Sequence, residues 1–217
     1  MIQGVIFDLD GTLLNTLDDL CDSTNYALKQ FGYPTRTLDE VRSFVGNGVK
    51  KLIERAIPNG CANENFEKCL AVFKEHYKQN MYNKTAPYSG VLEMLKELRA
   101  KNVQIAVVSN KFDTAVKELC KKYFDDFIQV AIGENEAAGV RKKPAPDSVF
   151  KAIQELQISV DSVIYVGDSE TDVQTAKNAE INCIGCTWGF RSREVLAREG
   201  ATYIIDTPDE ILKIVGV

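Results

Sequence analysis

Val5-Ile6-Phe7-Asp8-Leu9-Asp10-Gly11-Thr12 is the stretch that decides how this chain folds. Consecutive apolar residues that stop at an acid read as a strand buried on both faces, as in a parallel sheet covered by helices. In extended chain, residues two apart point the same way, so Asp8 and Asp10 project together while Leu9 turns back toward the core. Gly11 lets the backbone turn away tightly. The carboxyl ends of parallel strands are where ligands bind in such folds, which makes this pair of acids a candidate site. A turn or helix cap carrying two solvated acids fits the same letters, so the stretch needs support from elsewhere.

Further runs of the same kind follow at Val103 to Ser109, Ile128 to Gly133, Val163 to Gly167, Cys183 to Cys186 and Tyr203 to Ile205, each ended by Gly or polar residues. Helical patterns separate them: Val91, Leu92, Leu95 and Leu98 share one face, as do Val116, Leu119 and Cys120, then Val149, Phe150, Ile153 and Leu156. This alternation predicts an α/β fold with a doubly wound parallel sheet. Residues 15–83 break it, offering helical patterns without strands: Leu17, Leu20, Cys21, Thr24, Leu28 and Phe31; Val49, Leu52, Ile53, Ala56 and Ile57; and Phe66 to Tyr77. The expected organisation is a core of residues 1–14 and 84–217 with an inserted helical cap over 15–83. At ~70 residues the insert is marginal alone and is expected to act as a lid, with hinges near Leu14 to Thr16 and Lys84 to Pro87.

Composition narrows the partners. With 217 residues, 45% hydrophobic and 26% charged, the chain is an ordinary globular one. A net charge of −5 gives no positive field for nucleic acid or anionic lipid, so a small-molecule partner is expected. No apolar run approaches the roughly 18 residues of a membrane span. Met1-Ile2-Gln3-Gly4 lacks the basic lead and apolar segment of a signal peptide, so a cytoplasmic location is expected, with the six cysteines reduced. Cys183 and Cys186 form a C-x-x-C inside a strand pattern without a second ligand pair, which favours packing over zinc or redox chemistry. The single histidine, His76, falls in the last helical pattern and reads as a helix-surface residue. Oligomeric state leaves no signal in the sequence.

Three other segments support the first. Val107-Val108-Ser109-Asn110 ends a core strand with a hydroxyl and an amide, both able to bond phosphoryl oxygens. Lys143-Pro144 follows Arg141-Lys142 and places an ammonium in a loop stiffened by proline. Gly167-Asp168-Ser169-Glu170-Thr171-Asp172 ends another strand with acids four apart, leading into a helix. Each has a plain local explanation as a cap, turn or solvated charge. Their joint occurrence at strand ends, in this order, does not.

Taken together, the four segments resemble the four motifs of the haloacid dehalogenase superfamily, and the resemblance extends over the whole chain. The helical insert resembles that superfamily's cap; Phe44-Val45-Gly46-Asn47-Gly48 and Thr187-Trp188-Gly189-Phe190 are similar to its phosphoglycolate phosphatase group. The resemblance implies a Mg²⁺-dependent phosphatase in which Asp8 forms an aspartyl phosphate and Asp10 serves as acid and base. It also implies Asp8, Asp10 (through its backbone carbonyl), Asp168 and Asp172 as the metal set, Asp172 orienting the others. Ser109, Asn110 and Lys143 are expected to hold the phosphoryl group. In the insert, Gly46, Asn47, Gly48 and Lys50, with Arg55 nearby, are expected to meet the leaving group of a small phosphomonoester, phosphoglycolate first. A sugar-phosphate mutase, pyrophosphatase or nucleotidase of the same fold, or a noncatalytic binding protein, stays open; dehalogenation is disfavoured because it gives Asp10 no task.

Overall fold

A computed structural model describes residues 2–136 and 139–217. Along the chain come β1 (Gly4–Phe7), β2 (Leu14–Asn15), α1 (Leu17–Gln30), α2 (Leu38–Phe44), α3 (Val49–Ala56), α4 (Phe66–Asn80) and β3 (Ala86–Pro87). Then follow α5 (Val91–Ala100), β4 (Gln104–Phe112), α6 (Asp113–Phe124), β5 (Val130–Glu134), α7 (Asp147–Leu156), β6 (Val163–Gly167), α8 (Glu170–Asn178), β7 (Asn182–Cys186), α9 (Arg193–Glu199), β8 (Tyr203–Ile205) and α10 (Glu210–Val215). The chain divides into two compact units, one running to Leu14 and resuming at Pro87, the other spanning Asn15–Ala86.

In the first unit, β1 pairs in parallel with β4 on one side and β6 on the other. The sheet runs β5-β4-β1-β6-β7-β8, so the chain winds outward one way and then restarts beside β1 and winds the other way. That is the doubly wound α/β arrangement, and its reversal lies between β1 and β6, where such sheets open a crevice at the strand ends. Register explains the double burial. Ile6 stands level with Ala106 and Tyr165, and Tyr165 with Cys183. These form one apolar layer with Val149, Ala152 and Ile153 of α7 and Val173 and Ala176 of α8. Alternation sends Val5, Phe7, Ile105 and Val107 to the opposite face, where they are equally buried.

Strand ends depart from expectation in one informative place. β4 does not stop at Ser109 but continues to Phe112, and its register to β5 slips between Val108 and Phe112. Ser109, Asn110 and Lys111 occupy that irregular stretch, all buried. Their polar groups bond within the site, so the backbone stays extended where polarity alone predicts a loop. β5 starts at Val130 rather than Ile128, and α4 runs on past Tyr77 to Asn80.

The second unit is helical. α1 lies against α4, and both bury apolar faces, with Leu20, Ala27 and Leu28 on one and Phe66, Phe73 and Tyr77 on the other. α2, not foreseen in the sequence, starts at a capping box in which Thr37 and Glu40 satisfy each other's backbone N–H. Gly46 and Gly48 link α2 to α3 with φ of 110° and 84°, a backbone that side chains resist. Among the described residues, no helix is long and apolar enough to cross a membrane.

Asp19 fastens this unit to itself. Its buried carboxylate accepts from Lys84 N at 3.0 Å, Thr85 N at 2.9 Å and Thr85 Oγ1 at 2.8 Å. Residues 84–86 therefore belong with the helices. Asp19→Ala leaves the buried N–H of Thr85 and the partly buried N–H of Lys84 without this acceptor and is expected to cost about 1–3 kcal/mol of stability, with Asp19→Asn in between. Urea denaturation of the three chains checks this; unchanged midpoints would show that the carboxylate is not what ties the returning segment.

Candidate functional site

The site is built at the sheet reversal from loops that leave adjacent strands. Asp8 directly follows β1, its N–H bonded to Val166 O of β6 at 2.9 Å. Leu9 O accepts from Leu13 N and Leu14 N, folding the next residues into a tight turn. Gly11 has a φ of 87°, and a side chain there would run into the Asp168 carboxylate. Asp168 follows β6, and Asp172 sits in the first turn of α8, capped onto Ser169. One oxygen from each of Asp8, Asp168 and Asp172 lies within 4.8 Å of the others.

Lys143 closes the cluster from the loop before α7. Its Nζ stands 2.9 Å from Asp8 Oδ1, 2.7 Å from Asp172 Oδ1 and 3.0 Å from the Tyr165 hydroxyl. Asn110 donates to Lys143 O at 3.0 Å and Asn178 to Pro144 O at 2.8 Å, so β4 and α8 both hold that loop. The amide of Asn110, expected at an anion, is engaged there. Ser109 Oγ, buried at the end of the regular part of β4, accepts from Lys111 N at 3.3 Å.

The three acids differ in what they have left to offer. A carboxylate has about four lone-pair positions. Those of Asp172 are taken by Lys143, Tyr165, Ser169 N and Ser169 Oγ. Asp168 accepts only from Thr12 Oγ1 at 3.2 Å and Phe190 N at 2.7 Å among the described residues, both neutral donors. Asp8 and Asp168 thus fit direct coordination of a hard cation by oxygen, and Asp172 fits the role of holding Lys143 and the turn in place.

Charge tells the same story. Burial, then the charge of Asp172, pushes the Asp8 carboxyl up to about 7, with Lys143 opposing. Asp168 is driven well above the carboxylate range by burial and by Asp172 and Asp8. Lys143 keeps its proton firmly: burial works against the charge, but Asp172 and Asp8 outweigh it. One cation among these acids relieves what one ammonium does not.

Three further residues take part, and of these only Trp188 lies in a motif singled out in the sequence. Lys111 pairs with Asp10 at 3.1 Å, Tyr165 braces Lys143 from below, and Trp188 Nε1 donates to Thr12 O at 2.9 Å. Tyr165 had a readable signal, since a phenol in the middle of a wholly apolar strand needs a partner for its hydroxyl. In the helical unit, Lys50 is exposed, 4.0 Å from Glu67, and Arg55 donates to Phe44 O at 2.6 Å, which closes the turn holding Gly46, Asn47 and Gly48. His76 stacks on Tyr26 and sits 3.0 Å from Ser23 Oγ. Cys183 and Cys186 are buried in β7, their thiols pushed up by burial.

The profile of haloacid dehalogenase-like hydrolases matches residues 5–186, and the chain belongs to that family. The phosphoglycolate phosphatase of Colwellia psychrerythraea is 31% identical over 217 residues, covering 97% of this chain and 95% of its own. That of Pseudomonas putida is 32% identical over 208 residues, covering 93% of this chain and 75% of its own. A crystal structure of a candidate phosphoglycolate phosphatase from Lactobacillus delbrueckii subsp. bulgaricus matches with a TM-score of 0.92 at 36% identity, covering 98% of each chain.

The raised Asp8 carboxyl has a thermodynamic consequence. Unfolded chain releases that proton near 3.8 and folded chain near 7, so between these values the folded state binds more protons and stability falls as pH rises. In EDTA, the melting temperature is expected to drop from pH 5 to pH 7.5 by more in the wild type than in Asp8→Asn, a difference worth a few kcal/mol at most. Parallel curves for the two chains would refute the assignment.

Proposed function

We propose that the chain is a Mg²⁺-dependent phosphomonoesterase of the cytoplasm that works through an aspartyl phosphate, with 2-phosphoglycolate as its first-choice substrate. The observation that carries this is the position of Asp8: at the end of β1, in a cluster with Asp168 and Asp172, and 2.9 Å from a buried ammonium. A dianionic phosphate cannot approach such acids without positive charge, and phosphoryl transfer depends chiefly on positioning and electrostatic stabilisation. Asp8 and Asp168 side chains and the Asp10 carbonyl would hold Mg²⁺, which when bound supplies the missing charge and polarises the phosphoryl oxygens. The free thiols suit a reducing compartment.

Lys143 and Ser109 hold the phosphoryl oxygens. An oxygen of Asp8 bonds to phosphorus as the ester P–O bond breaks, and Asp10 gives its proton to the departing oxygen. Water then attacks phosphorus while Asp10 takes up its proton; the Asp8–phosphorus bond breaks, its electron pair returns to the carboxylate, and inorganic phosphate leaves. The phosphoglycolate phosphatases among the relatives support this substrate. Gly46, Asn47, Gly48 and Lys50 are assigned the choice of leaving group.

Asp8→Asn keeps the side chain's volume and removes the attacking oxygen, so it should fold normally and release no phosphate. Circular dichroism and a phosphate-release assay with Mg²⁺, with EDTA and with Mg²⁺ restored test both halves of the proposal together. A folded Asn chain with most of its turnover, or full turnover in EDTA, would sink it.

Replacing Gly46 and Gly48 by Val is expected to lower kcat/KM for phosphoglycolate by at least about tenfold more than for p-nitrophenyl phosphate. An equal fall for both esters, or no fall, removes substrate choice from this loop.

A further inference from the structure

Each of the two acids that open the first motif has its own buried lysine. Asp8 is held by Lys143. Asp10 is held by Lys111, whose Nζ lies 3.1 Å from Oδ1 and 3.1 Å from Oδ2. The two partners are unequal: the Lys111 side chain is 1% exposed, that of Asp10 20%. Lys111 is set in β4, in the irregular stretch between Val108 and Phe112, with its own N–H on Ser109 Oγ. Asp10 sits on a turn, and among the described residues its side chain bonds to no other group. Lys111 is thus the fixed point and Asp10 the member that can pivot.

We propose that Lys111 is the positioning residue for Asp10. The symmetric pair uses both carboxylate oxygens, so neither is free for a leaving group while it stands. A tilt of the carboxylate about the Cα–Cβ bond moves one oxygen off Nζ toward the ester oxygen and leaves the other on it. Lys111 is then a pivot that keeps Asp10 at one distance from Asp8 in both settings. This rests on the proposed acid and base role of Asp10 and adds to it the residue that aims the proton.

The test is a cycle of wild type, Lys111→Met, Asp10→Asn and the double variant, with kcat and KM measured on 2-phosphoglycolate and p-nitrophenyl phosphate at saturating Mg²⁺. Misplacing a proton donor by about an ångström costs on the order of a hundredfold. Lys111→Met should therefore lower kcat on phosphoglycolate by about 10- to 100-fold with KM within about twofold. The loss on p-nitrophenyl phosphate, whose leaving group scarcely needs a proton, should be far smaller, and in the Asp10→Asn background Lys111→Met should cost nothing more. Equal losses on both esters, a loss confined to KM, or a full second loss in the double variant overturn the proposal. Full turnover by Asp10→Asn overturns the role of Asp10 itself, and the pivot with it. Should Lys111→Met fail to fold by circular dichroism, Lys111→Arg carries the test: any loss must fall on kcat for phosphoglycolate first, and an equal loss on both esters overturns the pivot.

Discussion

Carboxylates gathered away from water repel one another, and the region around Asp8, Asp168 and Asp172 is organised by that repulsion. A buried ion costs several kcal/mol unless its partners are well placed, and leaving one partner out costs more than never forming the group. Lys143 therefore cannot be a loosely tethered surface lysine. It is fixed by Asn110 and Asn178 through the backbone on either side of its peptide link to Pro144, and by Tyr165 at its tip. β4, β6 and α8 all converge on one ammonium, and the doubly wound order of strands is what puts them within its reach.

The same constraint sorts residues that look alike in the sequence. Asp168 and Asp172 belong to one short segment, yet Asp172 spends its lone pairs on protein donors while Asp168 keeps some open. Gly11 is empty of side chain because the Asp168 carboxylate fills the place where one would stand. Polar satisfaction, more than apolar packing, decides what each position around the crevice can be.

Most of the core and its acids were legible because their signals are local. Apolar runs that end in Asp8, Ser109 and Gly167 are strands by pattern alone, and the acids that follow are placed by strand direction. Lys111 was not legible: only the slipped register opposite β5, a relation to a distant segment, turns it inward toward Asp10. Tyr165 and Trp188 stood out in the sequence, but their partners, Lys143 and Thr12, lie far along the chain and were not legible. Arg55, read in the sequence only as a nearby positive charge, gives one of its N–H groups to the carbonyl of Phe44 at the end of α2, a partner that spacing alone does not show. α2, α9 and α10 are short, with few buried apolar residues, too few for periodicity to register.

The central place of β1 has a consequence for how the protein comes into being. Gly4 to Phe7 is made well before its neighbours, Gln104 to Val107 and Val163 to Val166. Thr12 and Asp168, which bond across the crevice, are 156 residues apart. The helical unit, continuous from Asn15 to Ala86, can complete its contacts while the ribosome is still at work. The strand bearing Asp8 cannot: it stays an unpaired apolar segment until β4 has emerged and keeps one open edge until β6 has, the kind of exposure that invites capture by chaperones or by other chains. Asp8 is thus synthesised long before Lys143, Asp168 and Asp172 and waits for all three, so no nascent fragment short of β6 has the site.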